Sequence, residues 1–283
     1  MRRAFRLASI LLVSLFLAAP LAATAWIVPG HLRGRYRARF QRAWARLLCA
    51  VLGIRVEVIG DVPLGWNGLA IANHLGYADI LVLGSILPGT FVSKSDVARW
   101  PGIGLLASIA GTVYVDREDR AAAGAFAGRL RTRILTGDTI LLFPEGTSSR
   151  GETILPFKAV PFAAVAGLPG KTVLPLHIDV VEIDGKPAVG TFRDAVCWHG
   201  DAELLPHLYR LLGLRGIRFR VVPGAPIPCE GRGRKTLARE TRERVASLRK
   251  ISARHGCLFA DDFIWIRSVT WTPPRTPAAV PIP

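Results

Sequence analysis

The chain begins with an apolar run: the 22 residues from Leu7 to Val28 carry no charge. Wound as a helix at 1.5 Å per residue, they reach about 33 Å, enough to cross the hydrocarbon core of a bilayer. Pro20 interrupts the run but does not exclude a membrane helix. A cleaved signal peptide would share the basic start (Arg2, Arg3, Arg6) and the small-x-small triplet Ala23-Thr24-Ala25. The length of the run and the basic flank after it favour an anchor, expected over residues 1–30. Next, Tyr36, Phe40, Trp44, Leu47, Leu48 and Val51 recur at helical spacing, with Arg35, Arg39, Arg42 and Arg46 largely between them. An amphipathic helix is expected over residues 31–56, lying in the headgroup region, covering a core, or clamped between the two.

From Gly53 the pattern changes to short strands alternating with helices. Strands are expected at Ile54–Ile59, Gly68–Ala72, Phe91–Ser93, Thr112–Val115, Thr139–Phe143, Val173–Val181 and Ile217–Val222. Helices are expected at Tyr77–Leu87, Gly102–Ala110, Arg120–Leu135, Pro206–Gly213 and Arg234–Ala253, with Gly137 as the left-handed cap of the third. Leu237, Val245, Leu248 and Ile251 make a narrow apolar stripe on the last. The alternation predicts an α/β fold, a mixed sheet flanked by helices, with a globular unit over residues 57–255. Residues 256–283 form an extension whose end, from Thr272, carries five prolines and is expected to be extended or disordered.

Charge changes the picture of the flanks. The 283 residues carry a formal +16, with a mean hydropathy of +0.32. Residues 1–56 hold ten arginines and no acid, whereas residues 57–230 are close to neutral. Two basic flanks around a neutral middle suit arms on nucleic acid or a protein on an anionic leaflet. The excess of arginine after the apolar run puts the bulk of the chain on the cytoplasmic side. Cys49, Cys197, Cys229 and Cys257 make no C-x-x-C pair, so reduced thiols are expected. No phosphate-cradling glycine motif is present.

Three blocks carry candidate chemistry. Asn73-His74-Leu75-Gly76-Tyr77-Ala78-Asp79 follows a buried strand and opens a helix. With His74 on the loop, Asp79 in the first turns can reach back to its ring: a base and the carboxylate that fixes its tautomer. Without a nearby Ser or Cys, the proton taken would come from a substrate hydroxyl. Taken alone, the block is also what a capping Asp and a backbone-bonded His give. Phe143-Pro144-Glu145-Gly146-Thr147-Ser148-Ser149 leaves a strand at the end where open α/β sheets bind ligands, so Glu145 or Thr147 could bond a polar headgroup. Gly111-Thr112-Val113-Tyr114-Val115-Asp116-Arg117 ends on a guanidinium suited to a phosphate or carboxylate. A metal set of His74, Asp79, Glu145, His177 and Asp179 is the alternative use of these residues. A non-enzymatic basic adaptor, of membrane or nucleic acid, is the alternative outside catalysis.

These blocks, followed by Val173-Leu174-Pro175, stand in the order seen in the glycerolipid acyltransferase superfamily, and the chain resembles its bacterial lysophospholipid or 1-acylglycerol-3-phosphate acyltransferases over roughly residues 45 to 225. The resemblance implies an acyltransferase domain over residues 57–255 in which His74, oriented by Asp79, deprotonates a lysolipid hydroxyl. That oxygen attacks the thioester of acyl-CoA or acyl-carrier protein directly. It assigns acceptor binding to Arg117, Glu145, Gly146 and Thr147. No metal and no cofactor is implied, and no nucleic acid; the partners are a lysolipid, the acyl donor and an anionic membrane surface, in the bacterial inner membrane. The first expectation for the product is phosphatidic acid. Two departures point elsewhere: the family often reads E-G-T-R, where this chain has Ser148 and its arginine two places on, at Arg150. It also often shows F-K-x-G-A-F, against Phe157-Lys158-Ala159-Val160-Pro161-Phe162 here. Enzymes that acylate lyso-ornithine lipid, a phosphate-free aminolipid, are the alternative.

Overall fold

The computed structural model describes residues 1–24, 27–29, 32–63, 65–100, 102–116 and 122–255. The chain runs α1 (Arg2–Thr24), α2 (Arg33–Leu52), β1 (Ile54–Val58), β2 (Leu69–Ala72), α3 (Ala78–Ile86), β3 (Thr90–Lys94), α4 (Ile103–Ile109), β4 (Val113–Val115), α5 (Ala122–Leu135), β5 (Ile140–Leu142), β6 (Thr172–Ile183), β7 (Lys186–Pro187), α6 (Leu204–Leu211), β8 (Ile217–Pro223), β9 (Ile227–Pro228) and α7 (Arg234–His255).

The strands form one sheet in the order β1-β8-β6-β2-β5-β3-β4, with β7 and β9 also paired to β6. β2 is parallel to both β5 and β6, which puts the carboxyl ends of three neighbouring strands at one edge. β8 runs antiparallel to β6 and parallel to β1, so the sheet is mixed. All residues of β2 and β5 are buried, as expected for parallel strands covered on both faces. One face packs Leu174, Leu176, Ile178 and Phe219 against Leu48 of α2 and Val82 of α3. The other packs Leu69, Ile71 and Ile140 against Phe126 and Leu130 of α5 and Leu237 of α7. The expected strands and helices all have counterparts among the described residues, except that the first two residues of Arg120–Leu135 lie outside them. Gly137 is left-handed, at φ +94, as the cap of α5 requires. The Pro-rich tail lies outside the described residues, as does Cys257. Cys49, Cys197 and Cys229 are free and buried.

The two amino-terminal helices make an antiparallel hairpin laid along the domain. The Trp44 indole N–H donates to Ser14 Oγ at 3.0 Å, and the Thr24 hydroxyl meets the Tyr36 hydroxyl. Arg6 is buried, its guanidinium donating to the carbonyls of Leu212 and Leu214 just after α6. The inner face of α2 is Gln41, Ala45, Leu48, Cys49 and Leu52, displaced around the helix from the stripe that the sequence suggested. Arg42 and Arg46 fold inward and donate to the Ser85 carbonyl at the end of α3, where unpaired carbonyls attract cations. Outward, α1 exposes Phe5, Leu11, Leu12, Leu15 and Phe16. In α7, Leu237, Val245 and Leu248 are buried and dock the helix on the sheet, whereas Ile251 is exposed.

Candidate active site

The site is built at the carboxyl end of β2. Asn73, the first residue beyond the strand, is held by β6: its amide group donates to the Ile178 carbonyl at 2.9 Å and accepts from the Ile178 N–H at 2.8 Å. This pair continues the sheet by one side chain and fixes where the chain leaves it. His74 follows on the loop. Its ring stacks on Phe143, with centroids 4.2 Å apart and planes 12° apart, and Phe91 lies behind Phe143. The His74 carbonyl accepts the Ser149 N–H at 2.9 Å, so the loop after β5 is tied to the backbone of the histidine.

Asp79 lies in the first turn of α3 and is fully buried. Its Oδ2 is 2.8 Å from His74 Nδ1 and also accepts the N–H groups of Leu75 at 2.6 Å and Gly76 at 3.0 Å. A carboxylate can only accept, so Nδ1 carries the proton and Nε2 presents its lone pair. The His74 side chain is 22% exposed, and Nε2 has no hydrogen-bond partner among the described residues. The arrangement leaves one imidazole nitrogen open to solvent and braces the other against a buried anion that can stabilise imidazolium.

Glu145, in the turn after β5, is 4% exposed, and neither of its carboxyl oxygens has a hydrogen-bond partner of good geometry. Burial, reinforced by the charge of Asp79, pushes its carboxyl up to about 8; the backbone N–H groups of His74 and Leu155 and the charge of Arg242 pull the other way. Burial thus favours the protonated form of Glu145 near neutral pH. Gly146 follows at φ +79, a left-handed turn that glycine adopts without strain, and Thr147 is exposed beside it. Arg117 lies outside the described residues.

The loop that continues from Thr147 is locked down. The Ser148 hydroxyl donates to the Trp198 carbonyl, and the Trp198 N–H donates to the Leu75 carbonyl at 2.9 Å. Arg150 pairs with Asp194 through two 2.6 Å hydrogen bonds. His207 donates from Nε2 to the Asp194 carbonyl at 3.1 Å, so its Nδ1 accepts the Tyr77 O–H at 2.7 Å. These contacts make a back wall for the His74 loop out of α6 and residues 194–199. The roles of Phe143 and Asn73 were missed by sequence reasoning, although both sit inside the blocks it singled out. Asp194, His207 and Trp198 carried no signal, because only the fold brings them to the site.

The alternative metal set does not assemble. His177 is buried with neither ring nitrogen partnered, and burial lowers its pKa to about 4. Asp179 is taken by Arg193 at 2.7 Å and by the Ser252 hydroxyl at 3.2 Å. Among the described residues, no three His, Cys, Asp or Glu side chains form a group that could hold a metal.

Comparison with known proteins identifies the family. Residues 53–179 match the family model described as Acyltransferase. The chain is 33% identical to a lyso-ornithine lipid O-acyltransferase of Brucella abortus, over 77% of this chain and 84% of that one. It is 36% identical to one from Pseudomonas aeruginosa, over 80% and 86%. A 1-acyl-sn-glycerol-3-phosphate acyltransferase of Neisseria meningitidis is 29% identical, over 62% and 67%. The crystal structure of the 1-acyl-sn-glycerophosphate acyltransferase PlsC from Thermotoga maritima shares the fold, with a TM-score of 0.61 at 20% identity, covering 90% of this chain and 99% of that one. The chain belongs to the glycerolipid acyltransferase family and is a lysolipid acyltransferase.

Proposed function

We propose that the chain moves a fatty acyl group from acyl-carrier protein or acyl-CoA to the free hydroxyl of a lyso-ornithine lipid at a membrane surface. The observation that carries the choice of acceptor is the higher identity to the lyso-ornithine lipid enzymes of Brucella and Pseudomonas than to the Neisseria phosphate-lipid enzyme. The loop after Glu145 supports it. Ser148 stands where a phosphate-binding arginine is often found, and Arg150 is already spent on Asp194.

In this reading His74 Nε2 takes the proton of the acceptor hydroxyl as its oxygen attacks the thioester carbonyl. The resulting imidazolium is stabilised by Asp79, and its proton passes to the departing thiolate as the tetrahedral intermediate collapses to the ester. The acyl group goes straight to the acceptor, with no acyl-enzyme. Glu145 serves from below as a neutral acid packed under the loop, while Gly146 and Thr147 border the acceptor. Arg117 is kept as a candidate acceptor ligand on sequence grounds.

The membrane part of the reading rests on α1. Its outward side chains are apolar, and removing each from water is worth about 1.5–3 kcal/mol. Because α1 is tied to α2 at its middle and at its carboxyl end, a crossing α1 would drag the arginines of α2 to the same depth, at about 2.5–3.5 kcal/mol each. We therefore read the hairpin as lying in one leaflet, facing the cytoplasm in a bacterial inner membrane, with the basic flanks on anionic headgroups and no nucleic-acid partner. Phosphatidic-acid formation is the second reading, favoured by the similarity to the Neisseria enzyme. Membranes containing the full chain, given labelled acyl-carrier protein and both acceptors, separate the two. Label in ornithine lipid supports the first reading; label only in phosphatidic acid overturns it.

A further inference from the structure

A cavity of about 240 Å³ opens beside the end of the loop that holds His74, lined by Gly151, Glu152, Asp179, Arg193 and Arg249 among others. Its lining carries two carboxylates and two guanidiniums. Two of these four charges form a fixed floor. Arg193 donates to the carbonyls of Arg150 at 3.0 Å and Val180 at 3.1 Å and pairs with Asp179, whose other oxygen accepts from Ser252. The other two are unspent. Glu152 and Arg249 are exposed, and among the described residues neither enters an ion pair. One anion, whose charge reaches Arg150 without pairing with it, and one unpaired cation therefore border the same small space.

One short strap of chain links the lining of the cavity to the loop that carries the base. The Ser149 N–H bonds the His74 carbonyl, and the Gly151 N–H bonds Ser149 Oγ at 3.1 Å. Gly151, at φ +75, lies so close to the side chain following the base that a Cβ placed on it would stand 2.5 Å from Leu75 Cδ2. The volume falls below the roughly 300–1,000 Å³ typical of a site for a whole drug-sized ligand, and fits a lipid headgroup whose chains stay in the membrane. A phosphate would face Glu152 and Asp179 with like charge. A zwitterion would find a partner for each of its ends.

We propose that this cavity is the headgroup subsite of the acceptor, with Arg249 binding the carboxylate of an N-acylated ornithine and Glu152 its side-chain ammonium. This rests on the ornithine-lipid reading and adds the residues that would impose it. An acceptor seated here passes its hydroxyl-bearing chain across the Ser149–Gly151 strap toward His74.

The test uses the full chain in phosphatidylcholine vesicles with three acceptors: lyso-ornithine lipid, the same lipid built on norvaline (ornithine without its terminal amine), and 1-acylglycerol-3-phosphate. Glu152→Gln should raise KM for lyso-ornithine lipid about tenfold, the scale of one charge-assisted hydrogen bond, with kcat within about twofold. It should leave KM for the norvaline lipid unchanged, and Arg249→Gln should raise KM for both. Both side chains are exposed, so neither change opens the core; unfolding midpoints equal to wild type check this. The subsite is overturned if KM for lyso-ornithine lipid stays within about twofold in both variants, or if Glu152→Gln affects the ornithine and norvaline lipids alike. Failure of the acceptor reading itself looks different: the unaltered protein would transfer no label to lyso-ornithine lipid.

Discussion

Arg150 and Asp194 stand 44 positions apart and close a two-pronged ion pair, Nε to Oδ1 and Nη2 to Oδ2. His199 Nε2 adds a third bond to the same carboxylate at 2.9 Å. The Arg150 hydrogen bonds, more than that of His199, hold the Asp194 carboxyl below the usual carboxylate range against the opposing pull of burial. An arginine engaged in this way braces the loop and is not free to clamp a ligand's phosphate. Arg150→Gln is therefore expected to slow transfer to lyso-ornithine lipid and to 1-acylglycerol-3-phosphate by the same factor. Steady-state kinetics with both acceptors checks this. A loss confined to the phosphate lipid would show that Arg150 leaves Asp194 to bind the acceptor.

Asp79→Asn separates charge from scaffold. The amide oxygen can still accept from the Leu75 and Gly76 N–H groups, so the fold should survive. The imidazolium of His74 loses its counter-charge, and the amide can hold the ring in the wrong tautomer. A fall of about 10³–10⁴-fold in kcat, with an unchanged unfolding midpoint, is expected. Activity within about tenfold of wild type would mean that the buried carboxylate only caps the loop.

Glu145 makes stability fall as pH rises. Its folded pKa of about 8 lies above the 4.5 of an ordinary glutamate, so the folded chain holds a proton that the unfolded chain has released. The cost of this mismatch grows from about pH 4.5 to about pH 8 and levels off above, on the order of a few kcal/mol. Glu145→Gln removes it. The variant should match wild type in acid and become progressively more stable toward pH 8. Denaturant unfolding at a series of pH values reads the difference directly, and parallel curves for the two proteins would contradict a neutral buried carboxyl.

A helix lying in one leaflet has both ends on the same side of the membrane. Cysteines introduced one at a time at the exposed positions Ala4 and Ala23 of the full chain, in closed, inside-out vesicles, should both react with an impermeant maleimide above the background that the four native cysteines give in the unaltered chain. Reaction at only one of the two positions would show that α1 crosses the bilayer.

The His74–Asp79 pairing was legible because it is local. Five positions and one helix start decide whether the carboxylate reaches the ring, and both could be read from Asn73 to Asp79. The fully apolar β2 and β5 and the left-handed Gly137 that closes α5 were legible for the same reason: periodicity and turn chemistry act within a few residues. What closes the site is non-local. Asn73 grips Ile178 across 105 positions and Tyr77 bonds His207 across 130, and no pattern along the chain marks such pairs before the sheet order exists. The arginines of the amino-terminal helices carried a mixed message. Their charge pointed to a membrane surface, yet Arg6, Arg42 and Arg46 end on carbonyls of the domain, because helix ends and loops offer acceptors that composition cannot reveal.

The central claim is that an imidazole braced by a buried carboxylate takes the acceptor's proton. The rate of ester formation by His74→Ala, measured in vesicles where the variant binds membrane and unfolds as wild type does, tests it most directly. A loss of about 10²–10⁴-fold is expected. A rate within about threefold of wild type would contradict the claim and move the chemistry to another group.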